Sequence, residues 1–270
     1  MQSQRPYTLV ARFYDELHGD AQRMNRFARN KVLGKILPSV HSVCDLGCGT
    51  GTTALELARC GLKMYAVDLS PTMCRLARQK ARRAGLPVRV ICSDMRAFRL
   101  PERVDLVTCE FNPLNHLSRR ADLIRVARSV WRALQPGGYF YFDLNTRRSL
   151  QELYPSTHWF EKRSFCMVLH GGYDRRRRKG WLDLEWFLPT GRVWRRHHEH
   201  MEDVWWTDQE IRRTLRRAGF SHLRAWDGVK VRPPSPHSHP GYDSYYLAQK
   251  LQASLRVPSK DRSGLKRSIT

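Results

Sequence analysis

A carboxylate, three glycines at alternate positions and a second carboxylate about twenty residues later are the residues in this chain best spaced for chemistry. Asp45 sits in a short apolar run, Val43-Cys44-Asp45-Leu46, and Gly47-Cys48-Gly49-Thr50-Gly51 follows directly. Glycine tolerates left-handed backbone and leaves main chain bare, so a ligand can lie against this loop. The segment Thr52 to Cys60 then places Ala54, Leu55, Leu57 and Ala58 on one side of a helix whose first N–H groups have no intrahelical partner. Strand, glycine turn and helix form the entrance of a nucleotide-type binding unit. A second apolar run, Met64 to Val67, ends in Asp68, where such a unit places the carboxylate that holds ribose hydroxyls. A nicotinamide-binding loop would read G-x-G-x-x-G; this one reads G-x-G-x-G.

These residues need a frame, and the flanking pattern supplies one. Residues 5–18 mix aromatic and apolar residues at helical spacing, and 21–37 carry Met24, Phe27, Val32, Leu33, Ile36 and Leu37 on an amphipathic helix that Pro38 stops. Ser70 and Pro71 open a helix to about Ala84, which Gly85 ends. Val88–Cys92 and Asp105–Cys109 read as strands, the second apolar enough to be covered on both faces. A helix from about Arg119 to Leu134 and a strand from Gly138 to Leu144 complete an alternation that predicts a mostly parallel sheet with helices on both sides. After Asn145 the pattern changes to aromatic-rich strands, including Trp181–Phe187 and Arg192–Trp206, joined at Pro189-Thr190-Gly191 as a hairpin. Thr207 caps a helix to about Ala218, and Ser221–Trp226 and Asp243–Ala248 read as the last two strands. The expected organisation is a binding domain from 1–150 and 207–250, an antiparallel insert at 151–206 and a disordered basic tail at 251–270.

Composition narrows the partners. A chain of 270 residues with 41% hydrophobic content holds a sizeable core. No apolar run is long enough to span a membrane, and the N-terminus lacks the apolar stretch of a secretory signal, so a cytoplasmic protein is expected. Seven cysteines without a C-x-x-C pair indicate neither a zinc site nor a disulfide framework. Lys and Arg number 48 against 25 Asp and Glu, a net charge of +23 that attracts anions, including nucleic acid. The arginines are scattered over nearly every helix, which favours a solvated basic surface over one binding track. The local run Arg175–Lys179 reads as an exposed turn, His237 and His239 as solvated loop residues, and His197, His198 and His200 as part of a strand lining an acceptor pocket.

With those residues in view, the chain resembles the class I S-adenosylmethionine-dependent methyltransferases. Asp45–Gly51 resembles their first motif, Ala66–Met73 their second, Cys92–Met95 their adenine-contacting segment, and Leu134–Gly138 the turn before the fifth strand. The pattern Tyr7, Ala11, Tyr14, Asp15, Leu17, the hairpin insert and the ending Tyr245–Lys250 are similar to the branch containing glycine N-methyltransferase and the amino-sugar N-methyltransferases. The resemblance implies a Rossmann-like, seven-stranded, mostly parallel sheet with an antiparallel β insert over the active site, and S-adenosylmethionine as cofactor.

It also implies roles. Gly47, Cys48, Gly49 and Gly51 would pass under the methionine part of the cofactor, with Asp45 near its amino group. Asp68 would take both ribose hydroxyls and Asp94 the adenine amino group. Leu69, Met73 and Met95 would pack the ring faces, and Glu110 and Phe111 would border the site where the chain leaves strand four. Asn112 and His116 fall on the loop that borders the transferring methyl group, and relatives commonly carry an aspartate and an aromatic there. Asn112 cannot act as a base; His116 can, with an ordinary pKa of roughly 6.5, although a capping or packing role suits it equally. Tyr14 would close over the cofactor or serve as a core tyrosine.

The implied activity is methyl transfer to a small-molecule acceptor, at nitrogen or oxygen, by a monomer or homodimer without a metal. The charge motivates an alternative, an RNA or tRNA methyltransferase, against which Phe111-Asn112-Pro113-Leu114 departs from an N-P-P-Y base-flipping motif. A non-catalytic cofactor-binding protein is the third reading.

Overall fold

The computed structural model describes Tyr7, residues 9–233 and residues 241–251. Its first half alternates helix and strand: α1 (Val10–Leu33), β1 (Ser42–Leu46), α2 (Thr52–Arg59), β2 (Lys63–Asp68), α3 (Pro71–Arg83), β3 (Val88–Cys92), β4 (Val104–Cys109), α4 (Arg120–Ala133) and β5 (Leu134–Asn145). The short helix α5 (Arg147–Glu152) leads to four strands, β6 (Thr157–Lys162), β7 (Phe165–Asp174), β8 (Lys179–Thr190) and β9 (Val193–Val204). The chain ends with α6 (Asp208–Ala218), β10 (Phe220–Asp227), α7 (Gly228–Val231) and β11 (Asp243–Lys250). His237, His239 and residues 252–270 of the expected tail lie outside the described residues.

Two sheets result, as the sequence pattern leads one to expect. One has seven strands in the order β10-β11-β5-β4-β1-β2-β3; the other has four, β6-β7-β8-β9. Strands β3, β2, β1, β4 and β5 run parallel, while β11 lies antiparallel to both β5 and β10. The central strands are buried along nearly their whole length, as a sheet covered on both faces requires. One core joins the sheet to α4 and α6 through Val126, Val130, Ile211 and Leu215, and the other joins it to α1 and α2 through Ala28, Leu33, Ala54 and Leu57.

Local chemistry sets the element ends. Pro71 starts α3, and the Ser70 hydroxyl accepts from the Met73 amide at 3.3 Å. Thr207 and Glu210 form a reciprocal capping box at α6. The N-terminal segment differs from the sequence expectation: residues 10–33 form one continuous helix, not a break between 18 and 21. Gly19 lowers helix propensity there, but packing of Leu9, Val10, Phe13 and Leu17 against the second sheet keeps the turn helical.

The second sheet is tied to the first by Asn115, which is fully buried. Its side-chain amide donates to the Asn145 carbonyl at 3.0 Å and the Val204 carbonyl at 2.9 Å, and its oxygen accepts from the Asn145 amide at 3.0 Å. Replacing it by alanine orphans three backbone groups at the junction of β5 and β9. Asn115→Ala should therefore lower stability by about 2–4 kcal/mol, seen in thermal unfolding as a fall in Tm of roughly 5–12 °C. An unchanged Tm would show that the junction is held by something else.

Candidate active site

Strands β1, β2, β4 and β5 all end at one edge of the sheet, the edge at which open α/β sheets bind ligands. The glycine loop is pinned there by its own main chain. Gly47 and Cys48 both donate to the Val67 carbonyl, at 2.7 and 3.0 Å, and the Gly49 amide donates to Asp68 Oδ2 at 2.9 Å. Two glycines are sterically required. A Cβ on Gly47 would lie 2.9 Å from Pro113 Cγ and one on Gly51 would lie 3.0 Å from Ala77 Cβ, and both residues have left-handed backbone.

Three carboxylates lie buried behind this loop: Asp45 on β1, Glu110 after β4 and Asp143 on β5. Burial pushes the Asp45 carboxyl up to about 6, against the pull of Arg29. Thr108 donates to its Oδ1 at 3.2 Å, while its buried Oδ2 makes no hydrogen bond among the described residues. Burial pushes Glu110 up to about 7, and Arg29 Nη1 holds both its oxygens at 2.9 Å. Asp143, also pushed by burial to about 7, accepts from the Asn112 amide at 2.9 Å and the Asn25 side chain at 3.0 Å. Phe111 and Asn112, between Glu110 and the short helix Pro113–His116, both have left-handed backbone, with φ of 71° and 59°. Phenylalanine rarely adopts it, so the surrounding bonds hold the turn under strain.

Helix α1 forms the opposite wall. Tyr14, Gln22, Asp45, the glycine loop, Thr52, Thr53, Glu110 and Phe111 line a cleft of about 330 Å³ including its mouth. Tyr14 stacks on His18 and reaches the Gly49 backbone: a Cβ there would lie 3.9 Å from its ring. Asp15 and Lys80 clamp α1 to α2 and α3. Thr50 donates to Asp15 at 2.5 Å, and Lys80 Nζ donates to Asp15 at 2.6 Å and to Thr52 at 3.0 Å.

At the rim, the loop after β4 meets β9 and the N-terminal segment. His116 Nδ1 lies 2.8 Å from Asp203 Oδ1 and 3.2 Å from the Glu202 carbonyl; its Nε2 is 2.6 Å from the Tyr7 hydroxyl. Burial opposes charge on this imidazole, but the Asp203 carboxylate outweighs it and lifts the pKa to about 9. Asp203 thus favours the imidazolium, with a proton on each nitrogen, over the free base of ordinary pKa that the sequence position suggests.

Other expected site residues fall as follows. Leu69 is 66% exposed beside Asp68, and the Met95 methyl approaches Gly47. Met73 is buried in the interior and offers almost no surface to a ligand. Both Asp94 oxygens are taken by Arg96, whose Nε donates at 3.0 and 2.9 Å and whose charge, with those bonds, holds the carboxyl below its ordinary range. Cys48 is buried in the glycine loop, and burial raises its thiol pKa. On β9, His198 and His200 pair across the sheet with Glu185 and Asp183. Among the described residues, no group of His, Cys, Asp or Glu is arranged to hold a metal. Arg29, Asn25, Asp143 and Asp203 were not singled out from sequence; each acts across a long chain separation and lies in no motif.

Known proteins agree with this geometry. Residues 43–138 match the model of a methyltransferase domain family. YqeM of Bacillus subtilis, a methyltransferase by name, is 27% identical over 236 residues, 86% of this chain and 93% of that one. The carboxy-S-adenosyl-L-methionine synthase of Erwinia tasmaniensis is 30% identical over 199 residues, 68% of this chain and 69% of that one. The chain belongs to the class I S-adenosylmethionine-dependent methyltransferases. Solved structures share the fold: an S-adenosylmethionine-dependent methyltransferase from Clostridium acetobutylicum (TM-score 0.75, 23% identity, 92% of this chain and 100% of that one) and the sugar N-methyltransferase KedS8 from Streptoalloteichus (TM-score 0.69, 19% identity, 93% and 95%).

The cleft of this methyltransferase fits its cofactor. An orphaned carboxylate oxygen on Asp45 suits an ammonium group. Asp68 uses one lone pair of each oxygen, on Gly49 and Ser70 at 2.9 and 2.8 Å, and so retains acceptor capacity for two hydroxyls. If Asp45 holds the ligand's ammonium, affinity for S-adenosylhomocysteine should rise about tenfold between pH 5 and pH 7, as the carboxyl loses its proton near its raised pKa. Calorimetry should find that Asp45→Asn flattens this rise. An equal slope in the variant would remove Asp45 from the ammonium.

Proposed function

We propose that the protein transfers a methyl group from S-adenosylmethionine to a nitrogen or oxygen of a small-molecule acceptor. The observation that carries this reading is the meeting of three segments at the cleft's rim: Tyr7 and His116 at 2.6 Å, and His116 and Asp203 at 2.8 Å. A rim walled by the N-terminal segment and β9 suits an acceptor small enough to be enclosed. We also propose that residues 1–150 and 207–250 form the cofactor domain, with 151–206 as the cap over the acceptor. The likeness in fold to a sugar N-methyltransferase supports an amine as the first acceptor class to try.

The bound donor supplies an electrophilic methyl group on a sulfonium, so the protein's task is alignment and exclusion of water. Asp45 and Asp68 anchor the two ends of the donor, and Tyr14 closes over the glycine loop. Leu69 and Met95 offer apolar surface to the ring, and the Asp94 carboxylate, already engaged by Arg96, meets the adenine edge with its remaining lone pairs. Asn112 borders the methyl group with a buried side-chain oxygen that makes no hydrogen bond among the described residues, an acceptor for an incoming N–H or O–H.

The basic surface supports the nucleic-acid alternative only weakly. Arg178, in the arginine run, stacks on Trp205 at 4.3 Å and is bound by Glu210 at 2.8 Å, and Arg177 lies 3.6 Å from Asp174. Charges held this way are less available to a phosphate backbone. The test is transfer of labelled methyl to small amines, including amino sugars, beside tRNA at about 50 and 200 mM salt, the range over which phosphate-driven binding fades. Label should enter a small acceptor and stay out of RNA. Methylated RNA at the higher salt would overturn the reading.

A further inference from the structure

We propose that Asp203 is a positioning residue of the methyl-transfer site: it fixes the His116 ring through Nδ1, so that Nε2 donates to the Tyr7 hydroxyl and aims the phenol O–H at the acceptor. This rests on the reading that the acceptor lies at the rim beside the loop after β4.

Asp203 is bonded through one oxygen only: Oδ1 faces His116 Nδ1 at 2.8 Å as an ion pair and makes no hydrogen bond among the described residues. It is buried, and its second oxygen accepts from the Tyr154 hydroxyl and, at 3.3 Å, from the Asn145 side chain. Asn145 ends β5 and Tyr154 follows α5, so β5, the segment after α5, β9 and the loop after β4 converge on one carboxylate. His116 by contrast keeps about a third of its side chain exposed, at 34%, so it faces the rim while its partner stays inside. A ring held on Nδ1 by an ion pair and by the Glu202 carbonyl cannot flip without breaking both. Tyr7 stands edge-on to the ring with centroids 5.5 Å apart.

Charge completes the argument. The groups whose charge bears on His116 are Asp203 and, from the end of β2, Asp68, with the Glu202 carbonyl from β9; Tyr7 faces it from the N-terminal segment. Every ionised group among them is negative and favours the imidazolium. Asp203 in turn is held below its ordinary range: burial opposes this, but the His116 cation and the donors around it prevail. The pair is thus stable as ions, and His116 works as a donor and not as a proton acceptor across the neutral range. Because Nε2–H occupies the Tyr7 oxygen, that hydroxyl's own proton must point away from the ring. An acceptor with a lone pair on a group next to the methylated atom, such as a vicinal hydroxyl, would be oriented by it.

The experiment is an NMR titration of the His116 ring in the full-length protein, which needs no acceptor and so is independent of the activity reading. In the wild type the ring should stay protonated to about pH 9. Asp203→Asn should move that midpoint down by at least two units, to about 6.5 or below, with affinity for S-adenosylhomocysteine unchanged. Tyr154→Phe, which removes a donor from Asp203 but leaves its charge, should fold and leave the midpoint as high as in the wild type. With an identified acceptor, Tyr7→Phe should raise KM at least fivefold with little change in kcat. An unmoved midpoint in Asp203→Asn, or a Tyr7→Phe variant with the wild-type KM, would overturn the proposal.

Discussion

Placing three carboxylates inside one edge of a sheet is the constraint on which this architecture depends. Asp45, Glu110 and Asp143 come from adjacent strands, and side by side in a low-dielectric interior they would repel one another. The buried Arg29 on α1 answers this for Asp45 and Glu110, and Arg232 acts on Asp143. Arg29 binds Glu110 with Nη1 at 2.9 Å and Glu56 with Nη2 at 2.8 Å, joining α1, α2 and β4 in one contact. Removing one partner of such a buried pair costs about 3–5 kcal/mol, because the other charge is left alone. One turn before Arg29, Asn25 extends the brace: its amide donates to Asp143, and its oxygen accepts from Arg232 and Tyr245 at 3.0 and 2.9 Å.

From this brace follows the shape of the site. Once α1 is fastened over the strand ends, its first turns reach the second sheet, where Glu199 accepts the Leu9 and Val10 amides at 2.8 and 3.0 Å. Tyr14 is then carried over the glycine loop, and Tyr7 to the rim. The excess of arginine reads differently in this light. Several arginines are structural cations, holding Glu110, Asp94, Glu210 and Asp243, and the formal charge overstates what the surface offers to a polyanion.

What the sequence made legible was local. The glycine loop, Asp68 and the alternation of strand and helix are read from neighbours in the chain, because turns, caps and strand ends are governed by residues a few positions apart. The hairpin turn near Gly191 and the helix cap at Thr207 were visible for the same reason. Less legible was anything made by long-range packing. Arg29 meets Glu110 across 81 residues, and nothing in either neighbourhood marks the pair. The single helix through Gly19 depends on contacts with a sheet more than a hundred residues later. Met73 and Asp94 show the limit of a motif: it names the residue, but burial of the one and the Arg96 clasp on the other bear on what each can offer. His116 was found, but its charge was not, since that belongs to Asp203.

The buried brace at Arg29 holds the cofactor cleft together. Its most direct test is calorimetric titration of S-adenosylhomocysteine into Arg29→Met, a change that keeps the bulk of the side chain and removes its charge. The variant should fold with a lowered Tm and bind at least tenfold more weakly at pH 7, about 1.4 kcal/mol, because Glu110 loses its partner and α1 no longer seats Tyr14 over the loop. Wild-type affinity in a folded Arg29→Met protein would contradict it.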